Sequence, residues 1–160
     1  MPTYAKKTKA TAENSEREIK ATVRRYGASE VTVHDGETGM WIAFKKGDRV
    51  VRIEMAYPDK KAKRFWANGN HQTRTPENAD KSWKQECAVL WRNLLLFIKA
   101  QFAAIECGLI VFDKAFLPFL TQENGATVYD VLQTRLDRVL TSNFNAALAL
   151  PAPGEDVIDV

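Results

Sequence analysis

Hydrophobic positions change their spacing twice along the chain. Ile19, Val23 and Tyr26 recur at helical intervals behind a Ser15/Glu18 pair that has the form of a capping box, and Gly27 supplies a stop, so a first helix is predicted over 16–26. The period then falls to two. EVTVHD (30–35), MWIAFK (40–45) and RVVRIEMAY (49–57) alternate apolar and polar residues and are separated by GETG and KGD, both turn chemistry, which predicts an antiparallel meander. Alternation puts Val31, Val33, Met40, Ile42, Phe44, Val51, Ile53 and Met55 on one face of that sheet. Thr32, His34, Trp41, Ala43, Val50, Arg52 and Glu54 fall on the other.

The helical period returns after Thr75-Pro76-Glu77, a capping hydroxyl followed by proline and an acid. A long helix is predicted over 76–107, stopped by Gly108, with a main stripe through Trp83, Cys87, Leu90, Trp91, Leu94, Leu95, Ile98, Phe102 and Ile105. A second strip, Val89, Leu96, Phe97, Ala100 and Ala104, lies beside it. Such a helix needs cover on two sides, from the sheet and from either the C-terminal helices or a partner subunit. At about 48 Å it outruns a domain with a radius of gyration of about 15 Å, so a homodimer through the long helix is one expected assembly. A short apolar helix is expected over 111–120, then a turn over 122–125. A last helix, capped by Thr127 with Asp130, is expected to bury Val128, Val131, Leu132, Leu136, Val139 and Leu140. The expected class is α+β: an N-terminal helix, a three-stranded antiparallel meander, a long helix and two shorter C-terminal helices. These form a single domain over 13–141, between a basic flexible arm (1–12) and an acidic, disordered tail (142–160).

Composition agrees with one ordinary domain, since the 160 residues are 45% hydrophobic and 27% charged. No run of about 18 apolar residues is evident, and no apolar segment follows the N-terminal lysines, so a cytoplasmic protein is expected. Cys87 and Cys107 are separated by roughly 30 Å of helix and cannot bridge within the chain; both are expected to be small core residues in a reducing compartment. The net charge of +3 is unevenly spread. Lys6, Lys7 and Lys9 make the arm basic, Glu155, Asp156 and Asp159 make the tail acidic, and Lys60, Lys61, Lys63, Arg64 and Arg74 face only Asp59 in mid-chain. A polyanion would be attracted to the arm and the mid-chain segment.

Catalytic chemistry finds little to work with. His34 and His71 are the only histidines and neither has a ligand at a recognised spacing, so no metal and no cofactor are expected. GxSxG, a glycine-rich phosphate loop and a cysteine–histidine pairing are all missing from the sequence. The helix, three strands, helix order invites comparison with restriction-type nucleases, but Glu54 is followed two residues later by Ala56 where the metal-binding motif has lysine. A nuclease is the minor alternative. The KKAK after the third strand also looks like the double-stranded-RNA-binding domain, from which the chain departs because Asn68-Gly69-Asn70 interrupts any helix begun at Lys60.

The stretch KKAKRFWANGNHQTR (60–74) matches neither periodicity and holds the expected nucleic-acid-binding residues: Lys60, Lys61, Lys63, Arg64 and Arg74 for phosphates, Phe65 and Trp66 for unpaired bases, and His71. Trp41, flanked by His34 and Arg52, is either a second stacking platform or a residue covered by the first helix or a loop. EIKATVRRYGA, MAYPD, RTPE, QECAVLWRNLLLFIKAQFAAIECG and ENGATV together resemble a family of small uncharacterised proteins of tailed phages and prophages, across about 15–133. The resemblance implies a phage accessory of DNA replication, recombination or host takeover. The expected function is thus non-catalytic binding of nucleic acid, single-stranded for preference. The alternative is a protein-binding module, such as a phage inhibitor of a host defence or replication complex.

Overall fold

Thr11 opens the first helix, its hydroxyl accepting the Asn14 N–H at 3.2 Å. Helix α1 then runs Ala12–Arg25 in the computed structural model of the chain, which describes residues 11–67 and 72–136. The helix therefore begins a turn before the predicted Ser15/Glu18 cap. Thr11 offers the same kind of side-chain oxygen, and the longer helix puts Ser15 in the interior, 1% exposed. Glu18 reaches away from the helix start to Lys99 at 3.0 Å and Arg92 at 3.8 Å on the long helix.

Three strands follow, β1 Glu30–Asp35, β2 Gly39–Lys46 and β3 Arg49–Ala56, in the order β1-β2-β3 with antiparallel pairing throughout. The register sets Ile42 between Val33 and Ile53, and Phe44 between Val31 and Val51, so apolar residues align across the sheet. Met40, Ile42, Phe44, Val51 and Ile53 are buried on that face. Gly39 has a structural reason to be glycine: a Cβ there would lie 2.6 Å from the Met55 carbonyl oxygen. Gly39→Ala is expected to cost about 1–3 kcal/mol through this overlap, read as a lowered thermal midpoint.

A single-turn helix, α2 (Lys63–Trp66), precedes α3, which spans Pro76–Glu106. Thr75 caps α3 as expected, accepting from the Asn78 N–H at 3.3 Å. Gly108, at φ +76°, ends it while the Leu109 N–H closes back on the Ala104 carbonyl at 3.0 Å. Helices α1 and α3 pack together over the apolar sheet face, and Ile19, Val23, Trp91, Leu95, Ile98 and Phe102 join the strand residues in one core. By length and composition alone α3 passes the test for a membrane-crossing helix, as the core helix of a folded domain also does. In this fold a third of its apolar 18-residue window is buried, with Trp91, Leu95 and Ile98 fully inside.

The chain then makes α4 (Phe112–Phe116), a 3₁₀ turn over Leu117–Phe119, and α5 (Val128–Leu132) followed by a second 3₁₀ turn. Phe116 and Phe112 close the end of the core against Phe102. Thr127 and Asp130 form the expected capping box, but the expected buried stripe of α5 does not hold: Val131 is 44% and Leu132 41% exposed. The Val128 N–H is tied to the Leu120 carbonyl at 2.8 Å, so this short helix turns only its first residue toward the core. Leu136 is half-buried, while Val139, Leu140 and the expected tail lie outside the described residues, as do residues 1–10 of the basic arm.

Candidate nucleic-acid interface

The described parts of the basic segment, 60–67 and 72–74, make more contacts than their irregular sequence implies. Asp59 Oδ1 accepts the Lys61 N–H at 2.9 Å, and the chain then turns into α2. An isolated antiparallel bridge between Ala67 and Thr73 draws its far end together. Helix α2 docks on the first half of α3 through Phe65, which is 1% exposed. That burial corrects the expectation that Phe65 stacks on bases. Two aromatics sit side by side in the sequence, and a one-turn helix can present only one outward while the other anchors it.

Trp66 is the outward one, 37% exposed. Its indole N–H donates to the Lys60 carbonyl at 3.0 Å and its own carbonyl accepts the Arg74 N–H at 2.8 Å, so the ring stands on a fixed backbone. The cations around it divide into two sets. Lys60 pairs with Asp80 and lies over the Trp83 ring at 5.1 Å, while Arg64 grips Glu86 through two nitrogens at 2.8 and 3.3 Å. Asp80 also binds Lys84 at 2.8 Å, and the two ammonium groups hold its carboxyl at about 2, well below the usual range. Lys61, Lys63 and Lys81 are exposed and form no ion pair among the described residues. Arg74 turns inward and donates to the Ser82 hydroxyl at 2.9 Å, so it braces the segment. His71 lies outside the described residues.

The second expected platform is on the outer sheet face. Helix α1 lies across the opposite, apolar face and does not cover Trp41, which is half-buried by its strand neighbours. His34 stacks on its ring at 5.5 Å and the Arg52 guanidinium lies over it at 5.2 Å. Arg52 in turn binds Glu54 at 3.2 Å. Because Trp41 is already engaged by its own neighbours, a base would have to displace one of them.

Beside the basic segment lies a cleft of about 840 Å³ that the sequence did not reveal. It opens between the start of α1, the β1–β2 turn and α3, with Tyr57 and Trp83 meeting edge to face at 5.7 Å. The Tyr57 hydroxyl donates to Asp35 at 2.5 Å and accepts from the buried Trp91 indole at 2.8 Å. Burial first, and the bond to Asp35 second, push the Tyr57 phenol far above its ordinary value of 10.0. Cys87, which also lines the cleft, is pushed from 9.0 to about 12, mainly by burial and further by Asp35 and Glu86. Sequence pattern placed Trp83 and Cys87 in the helix stripe, and that stripe forms one wall of the opening.

The two thiols therefore differ. Cys87 is buried as expected, whereas Cys107 is exposed at the end of α3, which corrects its assignment to the core. A thiol reagent near neutral pH should label Cys107 within seconds to minutes and Cys87 far more slowly, because Cys87 is only 6% exposed in the cleft wall and its thiol is pushed up to about 12. Below 9.0 the Cys87 thiol is protonated in both folded and unfolded chains, so it leaves stability unchanged there. Above 9.0 the unfolded chain releases this proton first, so stability falls as pH rises toward about 12. Denaturant midpoints measured from pH 8 upward should decline over that window, and Cys87→Ala should remove part of the decline.

Comparison of the chain with family models, curated proteins and solved structures returns no match.

Proposed function

We propose that the α2 surface binds single-stranded nucleic acid without catalysis, as an accessory in a phage or prophage setting inside a host cytoplasm. The observation that carries this reading is the exposed Trp66 ring, held on a fixed backbone in the same short segment as Lys61 and Lys63, which form no ion pair among the described residues. A base stacking on such a ring contributes about 1–3 kcal/mol irrespective of sequence, and the lysines neutralise adjacent phosphates. Lys60, Arg64 and Lys84 add to the field even while paired. Their own side chains are half exposed or more, so the cationic heads stay open to solvent, where a phosphate can share them.

Fluorescence anisotropy with a labelled, unstructured oligonucleotide tests the reading. Binding should weaken linearly with the logarithm of salt. In the Lys61→Ala/Lys63→Ala protein the slope should shrink by about 1.4, at about 0.7 for each phosphate that a lysine no longer neutralises. No detectable binding at low salt, or an unchanged slope in the variant, would sink it.

A second reading, docking on a host protein, has its own observation. Six of the seven large apolar side chains exposed among the described residues lie C-terminal to α3: Leu109, Val111, Leu117, Tyr129, Val131 and Leu132. Exposed apolar side chains that gather into one contiguous patch mark interaction surfaces. A stoichiometric host protein retained from nuclease-treated lysate, and absent with Leu109→Ser/Val111→Ser, would favour it over the first reading.

A further inference from the structure

We infer that the cleft between Tyr57, Trp83 and the β1–β2 turn receives one unpaired guanine nucleotide of the strand bound at α2, an inference that rests on the strand-binding reading. The opening has the character of a ligand site. Its volume of about 840 Å³ falls in the usual range of roughly 300–1,000 Å³, and aromatic and apolar side chains line it beside a few polar groups. It also adjoins α2, because Trp83 forms part of its wall, carries the Lys60 ammonium against its ring and donates to the Pro58 carbonyl at 2.8 Å.

The polar groups differ from side to side. On the α3 side, Lys81 and Lys84 supply positive charge for a phosphate. On the β1–β2 side, Asp35 and Glu37 supply carboxylates that form no ion pair among the described residues. Asp35 gives one oxygen to Tyr57 and keeps the other available. A base lying against Tyr57 and Trp83 would turn its edge toward these acceptors.

Carboxylates discriminate strongly among bases. Guanine offers two adjacent donors, N1–H and the 2-amino group, which match the two oxygens of Glu37, or one Glu37 oxygen together with the Asp35 oxygen that Tyr57 leaves available. Adenine and cytosine each place a ring acceptor beside their amino group, and thymine or uracil has one donor between two carbonyls. Each of the other bases can give a carboxylate only one donor and sets an acceptor beside it, so it makes a single bond where guanine makes two and leaves one oxygen facing an acceptor.

Anisotropy with short thymidine strands, one carrying a central guanosine and one a central inosine, tests this. The guanosine strand should bind about tenfold more tightly than plain thymidine, which is about 1.4 kcal/mol and within the usual discrimination of a good bidentate pair. Inosine, which lacks the 2-amino group, should lose most of that gain. Asp35→Asn and Glu37→Gln should reduce the preference while leaving affinity for the plain strand unchanged; the asparagine still accepts the Tyr57 hydroxyl, so the fold is preserved. Equal binding of all three strands, or a preference that survives both substitutions, overturns the inference and leaves strand binding at α2 standing. A protein that binds no strand, yet takes free guanosine monophosphate with the same dependence on Asp35 and Glu37, supports the cleft as a nucleotide site and overturns the strand reading.

Discussion

Trp91→Ala should be the most destabilising single substitution in the chain, by about 3–5 kcal/mol. The indole is fully buried at the centre of α3, where α1 and the sheet meet, so truncation leaves a large void with no side chain free to fill it. It also removes the donor to the Tyr57 hydroxyl, and Tyr57 in turn holds Asp35 at the mouth of the cleft. A domain of this size has a total stability on the order of 5–15 kcal/mol, so a loss of this size consumes a large share of it. Urea titration followed by circular dichroism should show the midpoint fall sharply. Trp91→Phe fills most of the volume and should recover more than half the loss, while the Asp35–Tyr57 pair loses its buried donor. A Trp91→Ala midpoint close to wild type would mean that the core closes around some other residue.

The fold was legible where the apolar period was long and regular. Alternation over 30–57 assigned each strand face correctly, because a residue on the wrong side of this sheet would exchange a buried Phe44 or Ile42 for a wet one. The 3.6-residue period, bounded by Thr75-Pro76 and Gly108, placed α3 almost to the residue for the same reason. The reading erred where the period had few turns to act on. Thr11 and Ser15 are equally good caps in isolation, and only the packing of α1 on α3 selects the earlier one. In α5, Val131 and Leu132 have core-like chemistry, but a helix this short is oriented by its capping box and by the strand-like pairing of Leu120 with Val51.

The candidate site was legible as composition and not as geometry. Five cations and two aromatics in fifteen residues marked the segment, yet nothing local says that Phe65 faces inward, or that Asp80 and Glu86, about one helical turn and a half apart on α3, meet Lys60 and Arg64. The cleft left still less trace. Its aromatic walls come from Tyr57, which read only as the last residue of a strand run, and Trp83, which read as part of a helix stripe.

Phe65 and Trp66, adjacent in sequence, should therefore respond in opposite ways to the same substitution. Trp66→Ala removes a ring more than a third exposed, so it should leave the denaturation midpoint nearly unchanged and weaken single-strand binding about fivefold to a hundredfold, from the stacking of one base. Phe65→Ala empties the seat of α2 on α3. It should destabilise the protein by about 3 kcal/mol, within the range for a buried phenylalanine, and weaken binding only by releasing Lys61, Lys63 and Trp66 from their fixed backbone. Trp66→Phe keeps a stacking surface and should restore most of the affinity, whereas Trp66→Leu, apolar but without a π face, should not. Paired measurements of stability and affinity on these four proteins separate a stacking surface from a merely solvated turn. If Trp66→Ala binds strands as wild type does, the α2 surface works by charge alone, and the salt slope of Lys61→Ala/Lys63→Ala becomes its only signature.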